Sequence, residues 1–304
     1  MSKLFKRHSK WPTQLNGGLS KRSFLKKGSI ATVGLLLIAC GSGKKTSKDK
    51  TSGSQKDGST SGNGPVMAIV SADLIVNDVT QRLAFAIMDK FQPQNVGNLN
   101  VDVLTPSGKK SSYKAKYQDS GIKNKGIYTV QILLNEKGNY KIEANNESAK
   151  FGSNIITKDA PFAPYIGDKA IEVSTPTLKD TQGVDPICTQ KPTCSHHSVD
   201  LKETLGSKPT VILFATPARC QTAYCGNVLD SAIKVSKKYA TIEFIHNEIY
   251  KNLTTNEVID SVKAWDLPSE PWIFAINKDK KVTARLDGAF TENEINELFK
   301  TLQN

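Results

Sequence analysis

The sequence predicts an all-β sandwich followed by an α/β domain, and three observations predict it. Residues 65–170 run in short alternating apolar and polar stretches divided by turn residues, which is how sandwich strands read. Residues 210–304 alternate strand-like and helix-like patterns, the mark of an α/β succession. Between them, residues 171–209 carry Pro176, Pro186 and Pro192 with little periodicity, and connectors of that length are usually functional or disordered. A short capped helix fits only at residues 198–205.

Ahead of both regions lie an address and a tether. Residues 1–39 hold eight Lys/Arg and no Asp/Glu, and their apolar run, Gly28 to Ala39, is too short to span a bilayer. That pattern is an export signal. Its end, Leu37-Ile38-Ala39-Cys40-Gly41, resembles the lipobox of bacterial lipoproteins, which implies cleavage and lipidation at Cys40. Ser20-Lys21-Arg22-Ser23-Phe24-Leu25-Lys26 resembles a twin-arginine signal with Lys21 in the first arginine position. Residues 41–64 have no aliphatic or aromatic side chain to bury and read as a flexible tether. The expected place is the outer face of a bacterial cytoplasmic membrane, held there by the lipid.

Net charge would otherwise argue for a polyanionic partner. Of the formal +12, residues 1–39 supply +8 and residues 41–64 supply +3, leaving +1 for residues 65–304. Basicity belongs to the signal and tether, so a nucleic-acid partner loses its support.

Within residues 65–170 the strand-like runs are 82–88, 99–104, 112–117, 127–134 and 140–144. The clearest pair flanks residues 135–138, where Gly138 suits a hairpin position needing positive φ. The Gly126-Ile127-Tyr128 entry and Gly138-Asn139-Tyr140 return resemble immunoglobulin-like domains of exported bacterial proteins. No Cys or His lies in this region, and it reads as a spacer or docking module.

In the last region the expected order is strand 210–216, helix 226–239, strand 242–249, helix 255–265, strands 272–277 and 281–286, and helix 292–302. Together with Phe214-Ala215-Thr216 leading to Cys220 and Cys225, and Pro271 before an apolar strand, that order resembles the thioredoxin-like oxidoreductases of the membrane-anchored type over residues 205–304. The resemblance implies a thioredoxin fold, a redox cysteine pair at a helix start and a cis-proline at Pro271 beside it. A thiolate at a helix N-terminus is stabilised by the backbone N–H groups and attacks disulfides. This sequence departs from the family in placing four residues between Cys220 and Cys225 instead of two. Cys220, next to Arg219 in the expected turn, is preferred as nucleophile, with Cys225, nearer the helix dipole, as the alternative.

Five cysteines minus Cys40 leave an even number, Cys188, Cys194, Cys220 and Cys225, which suits disulfides in an oxidising compartment. Cys188 and Cys194 are therefore expected to form a disulfide holding the connector. The same segment continues into His196 and His197, and thiolates with imidazoles suit Cu(I) or Zn(II). The competing reading is thus a metal set of Cys188, Cys194, His196 and His197, similar in kind to copper-delivering proteins of the Sco type. His246, inside an apolar strand, reads as a core histidine.

The leading expectation is a lipid-anchored extracytoplasmic thiol–disulfide oxidoreductase that acts on exported protein thiols and disulfides through Cys220 and Cys225 and needs no cofactor. The alternatives are copper handling and a non-catalytic, disulfide-stapled binding module. The expected organisation is signal 1–40, tether 41–64, β sandwich 65–170, connector 171–209 and α/β domain 210–304.

Overall fold

The strand that joins the molecule together is β2 (Asn77–Asp89), thirteen residues long, in a computed structural model that describes residues 64–122, 125–219 and 224–303. The signal, Cys40, the tether and Cys220 lie outside the described residues. Leu83 to Ile87 of β2 are all buried because both faces of the strand are covered. Leu83, Phe85 and Ile87 enter one core and Ala84 another.

β2 pairs on one side with β1 (Val66–Ile69) and on the other with β3 (Gln92–Gln94) and β6 (Ile127–Leu134). The sheet continues through β5 (Lys110–Gln118), β4 (Leu99–Leu104), β7 (Asn139–Asn145) and β8 (Lys150–Ile156), every pair antiparallel. β5 changes partner along its length, Lys110 to Ala115 pairing with β4 and Lys116 to Gln118 with β6. One strand therefore carries the ladder round the core formed by Phe85, Val101, Tyr128 and Tyr140. The terminal strands β1 and β8 approach each other, so the expected two-sheet immunoglobulin-like sandwich is corrected to one nearly closed, barrel-like sheet.

The expected hairpin at residues 135–138 is corrected too. Gly138 has φ of 137°, yet β6 pairs with β2 and β5 while β7 pairs with β4 and β8. The Tyr140 hydroxyl accepts from the Glu136 N–H at 2.7 Å and donates to the Glu136 carbonyl at 3.1 Å. The bend is thereby tied to the start of β7, and the chain crosses over.

The second sheet has the order β10-β9-β11-β12: β9 (Thr210–Phe214), β10 (Glu243–Asn247), β11 (Trp272–Ile276) and β12 (Val282–Asp287). β9 and β10 run parallel, and the other pairs are antiparallel. β9 is an unbroken apolar run buried at all five positions, as a strand covered on both faces should be. Val211 and Leu213 meet α2 (Cys225–Ser236) and α4 (Glu292–Lys300), while Ile212 and Phe214 meet Trp265, Trp272 and α1 (Leu201–Thr204). Tertiary burial, not length, keeps such short helices folded.

The expected fold class, a thioredoxin-like α/β domain behind an immunoglobulin-like sandwich, is overturned by the balance of structure: 37% strand against 14% helix, with four short helices among the described residues. Part of the physical reason lies in residues 250–259. They are held by isolated bridges, Asp185 to Asn252 and Tyr250 to Val258, which leave only Asp260–Ala264 for α3. The halves also share a core, since Ala84, Ile122 and Ile127 pack with α2 and α4. Across the same seam Arg82 pairs with Glu294 at 2.6 Å, and buried Asp73 pairs with Arg285 at 3.0 Å and Lys158 at 2.8 Å. No described helix is long and apolar enough to cross a membrane.

Candidate metal centre

The connector is laid against the carboxyl ends of the parallel strands β9 and β10 by hydrogen bonds from both of its halves. The Thr189 N–H and hydroxyl donate to Glu248 Oε1 at 2.7 and 3.0 Å, and Ala218 N–H donates to the Thr189 hydroxyl at 3.2 Å. Further on, His246 N–H donates to the His196 carbonyl at 2.9 Å, and Leu178 N–H to the His197 carbonyl at 2.8 Å. Cys188, Cys194 and His197 are thus brought to His246, 49 to 58 positions away in the chain. Cys188, His197 and His246 are buried and Cys194 is half-buried.

Four donor atoms converge there, all within 4.8 Å of one another. The sulfurs of Cys188 and Cys194 are 3.8 Å apart. His246 Nδ1 lies 3.8 Å from Cys188 Sγ and 3.5 Å from Cys194 Sγ, and His197 Nε2 lies 3.3 Å from Cys194 Sγ and 3.2 Å from His246 Nδ1. Zinc bonds of about 2.3 Å to sulfur and 2.0–2.1 Å to nitrogen span a tetrahedron with edges of about 3.8 Å between sulfurs, 3.6 Å from sulfur to nitrogen and 3.3 Å between nitrogens. Five of the six separations match those edges to within about 0.3 Å, and the sixth, Cys188 Sγ to His197 Nε2, is the longest of the 4.8 Å span and would have to close on binding. A disulfide needs sulfurs about 2.05 Å apart. In this structure Cys188 and Cys194 are free thiols rather than the expected bridge. A two-iron cluster with Cys and His on separate irons would spread the donors beyond this span, so the space fits one ion.

The surroundings prepare the donors for coordination. A carbonyl only accepts, so the 2.9 Å contact from His246 Nε2 to Ala215 O puts the proton on Nε2 and leaves the Nδ1 lone pair facing the sulfurs. Backbone N–H groups of Cys194 and His196 donate to the sulfurs of Cys188 and Cys194 respectively. His197 Nδ1 is buried with no protein partner.

A hydrogen bond from Cys194, helped by His197 and His246, drives the Cys188 thiol far below its ordinary range, while that bond and burial drive Cys194 upward. Burial pulls His246 down, but Cys188, Glu248 and the Ala215 carbonyl outweigh it and the net shift is upward. Burial raises Glu248, and it raises Glu270 to about 7 despite the Thr216 N–H bond at 2.6 Å.

Of the residues singled out in the sequence, the structure gathers Cys188, Cys194 and His197. His196 is half-buried, with its ring 4.7 Å from that of Phe244, and lies outside the tetrad. His246, read as core, completes it. The available signal was the run His246-Asn247-Glu248, three polar residues at the end of a buried strand. Cys225 is disulfide-bonded, fully buried and the first residue of α2, its partner lying outside the described residues. Pro271 follows Glu270 through a cis peptide bond and precedes β11. No family model and no curated protein matches the chain.

Proposed function

We propose that this chain is an extracytoplasmic, lipid-anchored metal-handling protein whose Cys188, Cys194, His197 and His246 hold one zinc or cuprous ion. The observation that carries the reading is the convergence of two thiols and two imidazole nitrogens within 4.8 Å, with five of their six separations close to the edges of a single tetrahedron. Two thiolates with two imidazoles suit Zn(II) and Cu(I) better than hard, oxygen-seeking ions. The outward location rests on the export signal and Cys40.

The test is metal stoichiometry on the reduced full-length protein, with zinc and with Cu(I) under anaerobic conditions. One ion per chain is expected, bound through two sulfurs and two nitrogens by X-ray absorption. Cys194→Ser and His246→Asn should each weaken binding by more than the roughly 10–100-fold loss typical of outer-shell changes. Unchanged affinity in both variants would refute the reading.

A second reading, thiol–disulfide exchange, is favoured by one observation: Cys225 is disulfide-bonded at the N-terminus of α2. Its reduction potential decides the matter. A value below about −300 mV marks an inert staple, which the full burial of Cys225 also favours.

A further inference from the structure

The two sulfur ligands are the only cysteines of the connector, their sulfurs are both buried at the donor set, and the chain segments that carry them differ in exposure. Cys188 is 4% exposed and fixed on one side by the Thr189 bonds to Glu248 and to the turn at Ala218. Cys194 is half-buried and flanked by exposed Lys191, Pro192, Thr193 and Ser195. Their sulfurs are 3.8 Å apart, so an approach of about 1.8 Å reaches bonding distance. The segment that has to move is the exposed one.

We infer that this pair is a redox gate on the metal: a disulfide of a small molecule or of another protein oxidises Cys188 and Cys194 to a bridge and expels the ion. The inference rests on the metal reading above. With the ion bound both sulfurs are thiolates, and that of Cys194 attacks the incoming disulfide, forming a mixed disulfide and releasing one thiolate of the reagent. The Cys188 thiolate then attacks Cys194 Sγ, closing the internal bridge and releasing the second thiolate. Two electrons pass from the two ligand thiolates to the reagent's sulfur–sulfur bond, and no other oxidant is required. The ion loses two of its four donors, retains only the imidazoles of His197 and His246, and leaves. Cys188 resolves the intermediate because it lies within reach of Cys194 and is held beneath the bonds from Thr189 to Glu248. Cys194, although its sulfur is also buried, is reached by displacing the exposed segment around it.

The experiment uses the full-length protein, reduced and loaded with zinc, then treated with oxidised glutathione while released zinc is followed with a chromophoric chelator. One zinc per chain should be released together with two equivalents of reduced glutathione. A Cys188–Cys194 crosslinked peptide should appear, and dithiothreitol should restore binding. In Cys188→Ser, glutathione should remain attached at Cys194. Zinc retained after the bridge forms, zinc lost with glutathione on both cysteines and no bridge, or a Cys188→Ser protein without an adduct at Cys194 would each overturn the gate and leave the metal site standing. A reduced protein that binds no zinc at the outset overturns the site and the gate together.

Discussion

The two sheets of this protein bury different kinds of side chain. In the eight-stranded sheet the core is apolar, and its few buried polar groups are satisfied close by. Gln81, for instance, accepts from the Ile75 N–H and donates to the Ile75 carbonyl. At the ends of β9 and β10 the pattern reverses, with Thr216, His246, Asn247, Glu248 and the connector's His197 all buried in one place. Burying a polar group without a partner costs a few kcal/mol. A fold that concentrates so many at one strand end, and aims four soft donors at one point, has a use for them there. The first sheet builds stability, the second a site, and the seam through Arg82 and Glu294 joins them.

The largest expected effect breaks the first half without touching the second. Phe85 is fully buried and its ring stacks 5.4 Å from that of Tyr128. Phe85→Ala should cost about 3–5 kcal/mol, read by denaturant unfolding, while zinc stoichiometry and affinity stay at the native values under conditions where the protein remains folded. A variant that lost zinc in the folded state would mean the two regions do not divide the work.

Next in size is the metal itself. Zinc at about a thousand times its Kd should stabilise the folded chain by about 4 kcal/mol, seen as a rise in Tm that a chelator reverses. The rise should vanish in Cys194→Ser and persist in Phe85→Ala. Hydrogen exchange should show the added protection concentrated in residues 188–197 and absent from β1 to β8.

The carboxylate beside the site gives a third contrast. Glu270 titrates near 7 when folded against 4.5 as its ordinary value, because burial disfavours its charge. The folded state then binds more protons than the unfolded one between those values, so its contribution is fully present below pH 4.5 and is lost as pH rises through 7. The loss amounts to about 3 kcal/mol. Stability curves of the native protein and Glu270→Gln should differ in slope across that window and run parallel above it. A difference that stays constant between pH 4.5 and 7, or that keeps growing well above 7, would contradict the assignment.

Much of the second sheet's local structure was legible because its strands are covered on both faces, and a continuous run such as Val211 to Phe214 announces that. Crossovers left no such trace. The turn before Gly138 reads as a hairpin, and only the Tyr140 hydroxyl, bonded back to Glu136, shows why β6 and β7 separate. The metal centre was half visible. Cys188, Cys194 and His197 stood in one segment, but an even cysteine count in an oxidising compartment favoured a bridge. Adjacent His196 and His197 could not be told apart before one was seen against Phe244 and the other among the sulfurs. His246 was hidden by its own strand, whose apolar neighbours make any single histidine look like core.

The smallest predicted effect tests whether the seam transmits anything. Thr291 caps α4 by accepting from the Glu294 N–H, and Glu294 returns the bond to the Thr291 N–H at 3.0 Å. The same carboxylate holds Arg82 of β2 through two contacts, at 2.6 and 3.1 Å. Thr291→Ala removes the cap and should cost about 1 kcal/mol. Because the lost bond also orients Glu294, the double variant with Arg82→Met should fall short of the sum of the single losses by 0.5 kcal/mol or more, the range for residues in one network. Zinc affinity should not move in any of the three, since the cap and the tetrad share no hydrogen-bond partner. Additive losses would make Glu294 two independent contacts on one side chain, and a shift in zinc affinity would show that the scaffold reaches the site it carries.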